Sequence, residues 1–429
     1  MSIELIIGIL TLFGSAALGL PVAFSILVGV LVYLGVAGQD LAIAGETMVQ
    51  RLFDGFLLLA VPLFIVSANI MNAGSISDRL LNFCVAVVGR FRGGLGHVNV
   101  VTSLIFSGMS GSAVADAAGI GRIIIDMMQK SGGYSRGYAA AITAATATIG
   151  PIIPPSIPMV LYALVSNTSI GSLFLAGIIP GLFMGGVLMA INAVISNRRD
   201  FGYEAPVPLR KIPGITVRAA PALLMPVILL SGIYSGVTTP TEAAAIAALY
   251  ALIVAAGLYR ALKVKTLVEV FVESARSAAS VGLVIGASMI LTYVVIQENV
   301  PQMISALFTG AEISPLAFML LVNLLVLLLG CVLDATVIIL VIVPLFIPTC
   351  TQLGIDLVHF GVVIVVNAMI GLITPPYGIL LFVISAVTQI PLNEIIGEIW
   401  IFLAVLLLAL LAMIMFPEIV LFLPRALGY

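Results

Sequence analysis

Long apolar runs, separated by short polar interruptions, recur from one end of the chain to the other. A run of roughly 17–25 predominantly apolar residues is long enough to cross a bilayer as a helix. On that measure the pattern predicts spans near 3–18, 20–37, 54–73, 95–108, 136–165, 172–196, 218–236, 241–261, 280–297, 315–330, 358–388 and 396–423. Two of these, 136–165 and 358–388, are interrupted by proline and glycine, and the segments 109–131 and 331–355 are too short or too broken to cross. Two further stretches, 75–94 and 264–280, mix charges with apolar residues at helical spacing, as helices lying along a membrane surface do. One long polar segment, 196–220, carries Arg198, Arg199, Arg210, Lys211 and Arg218 against Asp200 and Glu204. Its basic excess places it in the cytoplasm, and Arg260, Lys263 and Lys265 fall on the same side.

Composition turns this pattern into a fold class. Of 429 residues, 62% are hydrophobic and 8% charged, whereas soluble domains carry about 25% charged residues. The chain reads as an all-α polytopic membrane protein. Its net charge of −2 leaves no basic footprint for nucleic acid. Cys84, Cys331 and Cys350 stand at unrelated spacings in or beside apolar runs, and His97 and His359 are isolated, so neither disulfide nor metal is expected. Serine, histidine and aspartate form no nucleophile–base set, and the reading is not an enzyme. An ion channel would need a polar stripe along a span, and none runs along these.

The chain also repeats itself. "IGPIIPPSI" at 149–157 returns as "IGLITPPYG" at 370–378, with isoleucine, glycine and the Pro-Pro pair at constant offset. Before each stands a glycine-then-aspartate segment, "GSAVADAAGIG" at 111–121 and "GCVLDATVIIL" at 330–340. With 196–220 in the cytoplasm and an odd number of crossings per half, the halves run in opposite directions and both termini are periplasmic. Two inverted repeats, each with a re-entrant helical hairpin and a Pro-broken helix, are the sequence pointer to a secondary transporter with a midplane site.

A broken helix frees carbonyls that can strip water from a cation and presents a half-helix N-terminus to an anion. A hard cation such as sodium favours oxygen ligands. The expected sodium ligands are Ser107, Gly108, Ser110, Thr148 and Gly150 in the first half, and Gly330, Asp334, Gly371 and Thr374 in the second. A substrate between hairpin tips and breaks would meet Ser110, Ser112, Pro155, Ser156, Thr374, Pro376 and Tyr377. Asp116 and Arg122 are structural or coupling charges, with Arg122 a partner for Asp116 by helical spacing, while Asp334 is expected to bind the cation. Proton coupling through either carboxylate stays open, as does packing of small residues without any site.

At these residues the chain resembles the large membrane subunit of a tripartite ATP-independent periplasmic (TRAP) transporter. The blocks "LGLPVAFSILVGV" (18–30), "VPLFIVSANIMNAG" (61–74), "SGSAVADAAGIG" (110–121), "ATIGPIIPPSIPMVLYA" (147–163), "TPTEAAAIAALYAL" (239–252) and "LITPPYGILLFV" (372–383) carry the likeness over essentially the full length. The resemblance implies the elevator fold of the ion-transporter superfamily in a bacterial inner membrane. It implies sodium-driven uptake of a carboxylate of the sialic acid or C4-dicarboxylate type, with a small four-helix membrane subunit and a periplasmic substrate-binding protein as partners. It divides the chain into scaffold (1–94, 172–279, 391–429) and transport domain (95–171, mainly 280–390). No small-subunit sequence is expected before the large-subunit pattern. The alternative is a stand-alone sodium/carboxylate symporter needing no binding protein.

Overall fold

The computed structural model describes residues 2–74, 76–203, 207–310 and 312–429, and every regular element among them is helical. Ser75, which heads the first amphipathic stretch, and Glu204, in the polar segment, lie outside the described residues.

Helices α1 (Ile3–Ala17) and α2 (Val22–Val36) open the chain as a tight pair. They cross where Gly8 faces Gly29, so closely that a Cβ on Gly29 would sit 2.8 Å from the Gly8 carbonyl oxygen. Small residues permit such crossings in membranes. Next come α3 (Ala42–Asp54), α4 (Ala60–Ala73) and α5 (Ile76–Val88), the last inclined at 70° to α4. Helix α6 (Gly94–Ser110) turns at Gly111 into α7 (Ala113–Asp116), a wide-pitched turn at 117–121 and α8 (Arg122–Lys130), which packs back on α6. Then α9 (Arg136–Ala147) and α10 (Ile157–Ser166) flank the first proline break, and α11 (Ile170–Arg198) follows.

The second half begins with α12 (Ile212–Tyr234), α13 (Pro240–Leu252), α14 (Val264–Gln297) and α15 (Val300–Gly310). A second hairpin pairs α16 (Pro315–Gly330) with α17 (Ala335–Val337), a wide-pitched turn at 338–342 and α18 (Ile347–Gln352). Helices α19 (Leu357–Gly371) and α20 (Ile379–Thr388) flank the second break, before α21 (Leu392–Met415) and α22 (Glu418–Ala426). Five described helices are long and apolar enough to cross a membrane: α11, α12, α13 with its continuation to Leu258, α14 and α21.

Several boundaries differ from the sequence pattern, each for a physical reason. The stretches 264–280 and 280–297 form one uninterrupted helix, α14, because no proline stands between them. Helix α11 runs on to Arg198 and α12 begins at Ile212, so the polar segment shrinks and Arg218 is helical. The last apolar run stops at Met415, where Pro417 forces a new helix. Helices α3 and α15 are too short or too polar to register as spans.

Burial singles out two helices. From Gly137 to Ala147 in α9, and from His359 to Gly371 in α19, every residue is buried. A helix apolar on all sides belongs inside protein rather than against lipid alone. Side-chain amides fix both. Asn99 on α6 donates to Thr143 Oγ1 (2.6 Å) and accepts from Thr146 Oγ1 (2.9 Å) on α9. Asn367 on α19 donates to the backbone and side-chain oxygens of Asn323 on α16, at 2.6 and 2.8 Å. Each hairpin is thus pinned to the half-helix that precedes its neighbouring break. A smaller apolar cluster joins α1 and α2 to the second half of α14 through Leu5, Ile26, Leu34, Ala287, Ile290 and Val294.

Candidate functional site at the two breaks

The first site is assembled by a glycine and a capping serine. Helix α6 ends at Ser110, Gly111 takes φ +59°, and Ser112 caps α7 by accepting from Ala115 N–H at 3.4 Å. Only a residue without Cβ suits Gly111, since an added one would lie 2.6 Å from the Pro155 carbonyl oxygen. This close turn brings the tip against the break. Gly108 is also close, its Cβ position 3.6 Å from the Pro154 carbonyl oxygen.

Asp116, at the end of α7, is buried. The Ser110 hydroxyl donates to its Oδ1, and Oδ2 has no hydrogen-bond partner among the described residues. That free oxygen points at Gly150, where a Cβ would collide with it. The break itself is only partly satisfied. Ile149 and Gly150 N–H groups donate to Thr146 and Ala147 at 3.1 Å, Ile149 accepts from Ile152 at 2.9 Å, and the Ser156 hydroxyl donates to the Pro151 carbonyl. Among the described residues the carbonyls of Thr148 and Gly150 accept no hydrogen bond. A buried polar oxygen without a partner is costly. The partnerless carboxylate oxygen against Gly150, and the open carbonyls of Thr148 and Gly150 in the same turn, are oxygen donors of the kind that suit a hard cation.

The structure therefore brings Ser110, Asp116 and Gly150 together, with Gly108, Ser112, Pro155 and Ser156 around them. It does not bring every predicted hydroxyl. Ser107 donates to Leu104 (2.8 Å) and Thr148 to Ala145 (2.7 Å), each closing a bond within its own helix, and Ser156 caps α10. The predicted pairing of Arg122 with Asp116 is overturned. Arg122 is exposed, and the ion pairs among the described residues are Arg92–Asp200, Arg199–Glu398 and Arg425–Glu418. Asp116 and Arg122 stand six residues apart, beyond the i, i+3 and i, i+4 neighbours that share a helix face, and the wide-pitched turn at 117–121 lies between them.

The second site is built on backbone contact. A Cβ on Gly371 would lie 2.7 Å from the Gly330 Cα, so α16 and α19 touch at two glycines. Gly378 N–H donates to the Cys331 carbonyl (3.2 Å), tying hairpin tip to break, and Leu380 N–H donates to Leu372 (3.0 Å). Thr374 Oγ1 donates to Ile370 (2.8 Å). Asp334 is exposed and caps α17, its Oδ1 accepting from Thr336 N–H at 2.8 Å. With Thr336 it borders a cavity of about 460 Å³ shared with Pro21–Phe24 and Ser280–Val284 of α2 and α14. Pro376 and Tyr377 are exposed, the tyrosine ring 5.0 Å from Phe382, whereas Pro155 and Ser156 in the first break are buried. Sequence reasoning passed over Asn99, Thr143, Asn323 and Asn367, although amides in the middle of apolar spans are themselves a signal.

Comparison with known families decides what such a frame belongs to. The family model for the DctM component of tripartite ATP-independent periplasmic transporters matches residues 9–419. The chain belongs to this family. The large permease protein SiaM of the Vibrio cholerae sialic acid TRAP transporter is 40% identical over 413 residues, covering 96% of each chain. The Pseudomonas aeruginosa C4-dicarboxylate TRAP transporter large permease DctM is 40% identical over 375 residues, 87% of this chain and 88% of that one. Among solved structures, the Alcanivorax borkumensis YdaH transporter aligns with TM-score 0.64 at 15% identity, covering 86% of each chain, a likeness of fold. As a TRAP large permease with several apolar helices, the chain is an integral membrane protein.

Proposed function

We propose that this TRAP large permease drives uptake of an organic carboxylate by coupling it to sodium. Its two halves are inverted repeats, and both termini are periplasmic. The hairpins and broken helices, 95–171 and mainly 280–390, form the body that moves by an elevator mechanism. Residues 1–94, 172–279 and 391–429 frame it. The cargo reaches it from a periplasmic binding protein, and a small four-helix membrane subunit completes the frame. The carboxylate class is supported by the named cargoes of the relatives, sialic acid and C4-dicarboxylates.

One observation carries the reading: the partnerless Asp116 Oδ2 lies against Gly150, in the turn where the Thr148 and Gly150 carbonyls accept no hydrogen bond. A cation seated there satisfies the carboxylate oxygen and draws on such open carbonyls for its remaining ligands. Ser110 orients the carboxylate through Oδ1. Gly330, Gly371, Thr374 and Asp334 make the second cation region. The carboxylate substrate lies between the tips and breaks, near Ser112, Pro155, Ser156, Pro376 and Tyr377. There the N-terminus of α10 faces it and bound sodium offsets its charge.

The test is uptake by proteoliposomes holding the chain with its cognate small subunit and binding protein. Uptake should require an inward sodium gradient. Asp116→Asn should raise the sodium concentration for half-maximal uptake on the order of tenfold or more, as loss of a charge-assisted contact implies. Unchanged sodium dependence in that variant refutes the assignment. The same orphan oxygen also suits a proton, and uptake driven by a pH gradient without sodium selects that second reading. Uptake with the binding protein left out selects the stand-alone symporter.

A further inference from the structure

Away from both breaks, a cavity of about 520 Å³ opens between α5, the start of α12 and the segment leading into it. Its lining is Arg79, Asn82, Val85, Val207, Ile215 and Arg218. Two arginines border one space, and no carboxylate among the described residues lines it or forms an ion pair with either. The neighbouring Asp78 borders a different cavity, with Asn72 and Glu273. One ring holds the Arg79 side chain and the Arg218 backbone. The Arg79 guanidinium lies 3.5 Å from the Tyr259 ring centroid, and the Tyr259 hydroxyl donates to the Arg218 carbonyl at 2.8 Å. One aromatic ring thus links α5, α12 and the end of α13's continuation.

Like charges held together without a counter-ion repel one another and await an anion. A planar guanidinium presents paired donors that match a phosphate. The location fits: Arg210 and Lys211 directly precede α12, so the cavity lies at the basic, cytoplasmic end of the frame, where anionic lipids are enriched. Val85, Val207 and Ile215 supply apolar walls beside the charges, as an amphiphile requires.

We propose that this cavity binds the phosphate of an anionic phospholipid, with Arg79 and Arg218 on its oxygens and the three aliphatic side chains against its glycerol and upper acyl region. Such a lipid braces the arm α5 against α12, two elements outside the broken helices.

Native mass spectrometry of the purified chain titrated with phosphatidylglycerol or phosphatidylethanolamine tests this. The wild type should retain phosphatidylglycerol preferentially and melt at a higher temperature in its presence. Arg79 also stacks on Tyr259, so Arg218→Gln, on an exposed side chain, isolates the charge. It should weaken retention on the order of tenfold. Arg198→Gln, a basic residue outside the cavity, should not. Equal retention by wild type and Arg218→Gln overturns the proposal. Stabilisation by inorganic phosphate equal to that by the lipid makes the site one for free phosphate and overturns the lipid assignment as well.

Discussion

At Gly150 a single methyl group would meet the Asp116 Oδ2 on one side and stand 3.2 Å from the Ala147 carbonyl on the other. Gly150→Ala is therefore expected to displace the carboxylate without unfolding the chain: uptake falls below detection while the melting temperature stays near wild type. Gly111 makes a second, separable prediction. Alanine there pays about 1 kcal/mol for a left-handed conformation and also collides with the Pro155 carbonyl, 2.6 Å away. Gly132 has φ +76° with open space around it, so Gly132→Ala carries the backbone cost alone. Gly111→Ala should melt lower than Gly132→Ala, and equal melting temperatures would show that the tip does not press on the break. The two aspartates show what sequence can rank. Both stood out as ionisable groups in apolar surroundings, and the residues alone assigned the cation to Asp334 and a structural or coupling role to Asp116. In the fold Asp116 lies buried against Gly150, and Asp334 caps an exposed helix start. The difference arises from tertiary approach and the wide-pitched turn at 117–121, neither of which leaves a mark on residue spacing.

Elements were legible to the extent that prolines and glycines punctuate them. The breaks at 148–156 and 372–378 stand where the repeated Pro-Pro motifs predicted, because paired prolines remove successive backbone donors, whereas single ones such as Pro180 in α11 and Pro221 in α12 are carried inside a helix. The join within α14 was not legible, since amphipathic and apolar patterns abut there without a breaker. Nor were the amide ties, which depend on which helices meet. Those ties yield a prediction for elements. In the first hairpin, Asn99 and Thr146 bond side chain to side chain while Thr146 keeps a fallback bond to the Thr143 carbonyl at 3.1 Å. A double-mutant cycle on Asn99→Ala and Thr146→Ala should return a coupling of about 0.6 kcal/mol, the average for interhelical hydrogen bonds in membranes, and no more than about 1.7 kcal/mol. Additive effects on unfolding free energy would mean that α6 and α9 are held by packing alone.

For the whole molecule, the decisive question is whether the second hairpin slides along α14 or stays fixed to it. A single long hydrogen bond joins the second hairpin to α14 among the described residues, from Thr292 Oγ1 to the Leu340 carbonyl at 3.5 Å, and beside that contact a cavity opens between Asp334, Thr336 and residues 280–284. Within the hairpin pair, by contrast, α16 and α19 are joined by the Asn323–Asn367 bonds and the Gly330–Gly371 contact. Weak attachment across one boundary and tight attachment within the other is the arrangement a rigid moving body needs. Replacing the three buried cysteines, Cys84, Cys331 and Cys350, by alanine gives a background in which Ser280→Cys and Thr336→Cys can be bridged by a short bismaleimide. Bridging should abolish uptake, whereas each single-cysteine variant treated alike should keep it. If mass spectrometry shows the Ser280–Thr336 bridge complete and uptake continues, the hairpin does not move against α14, and transport must proceed by a local opening at the breaks instead.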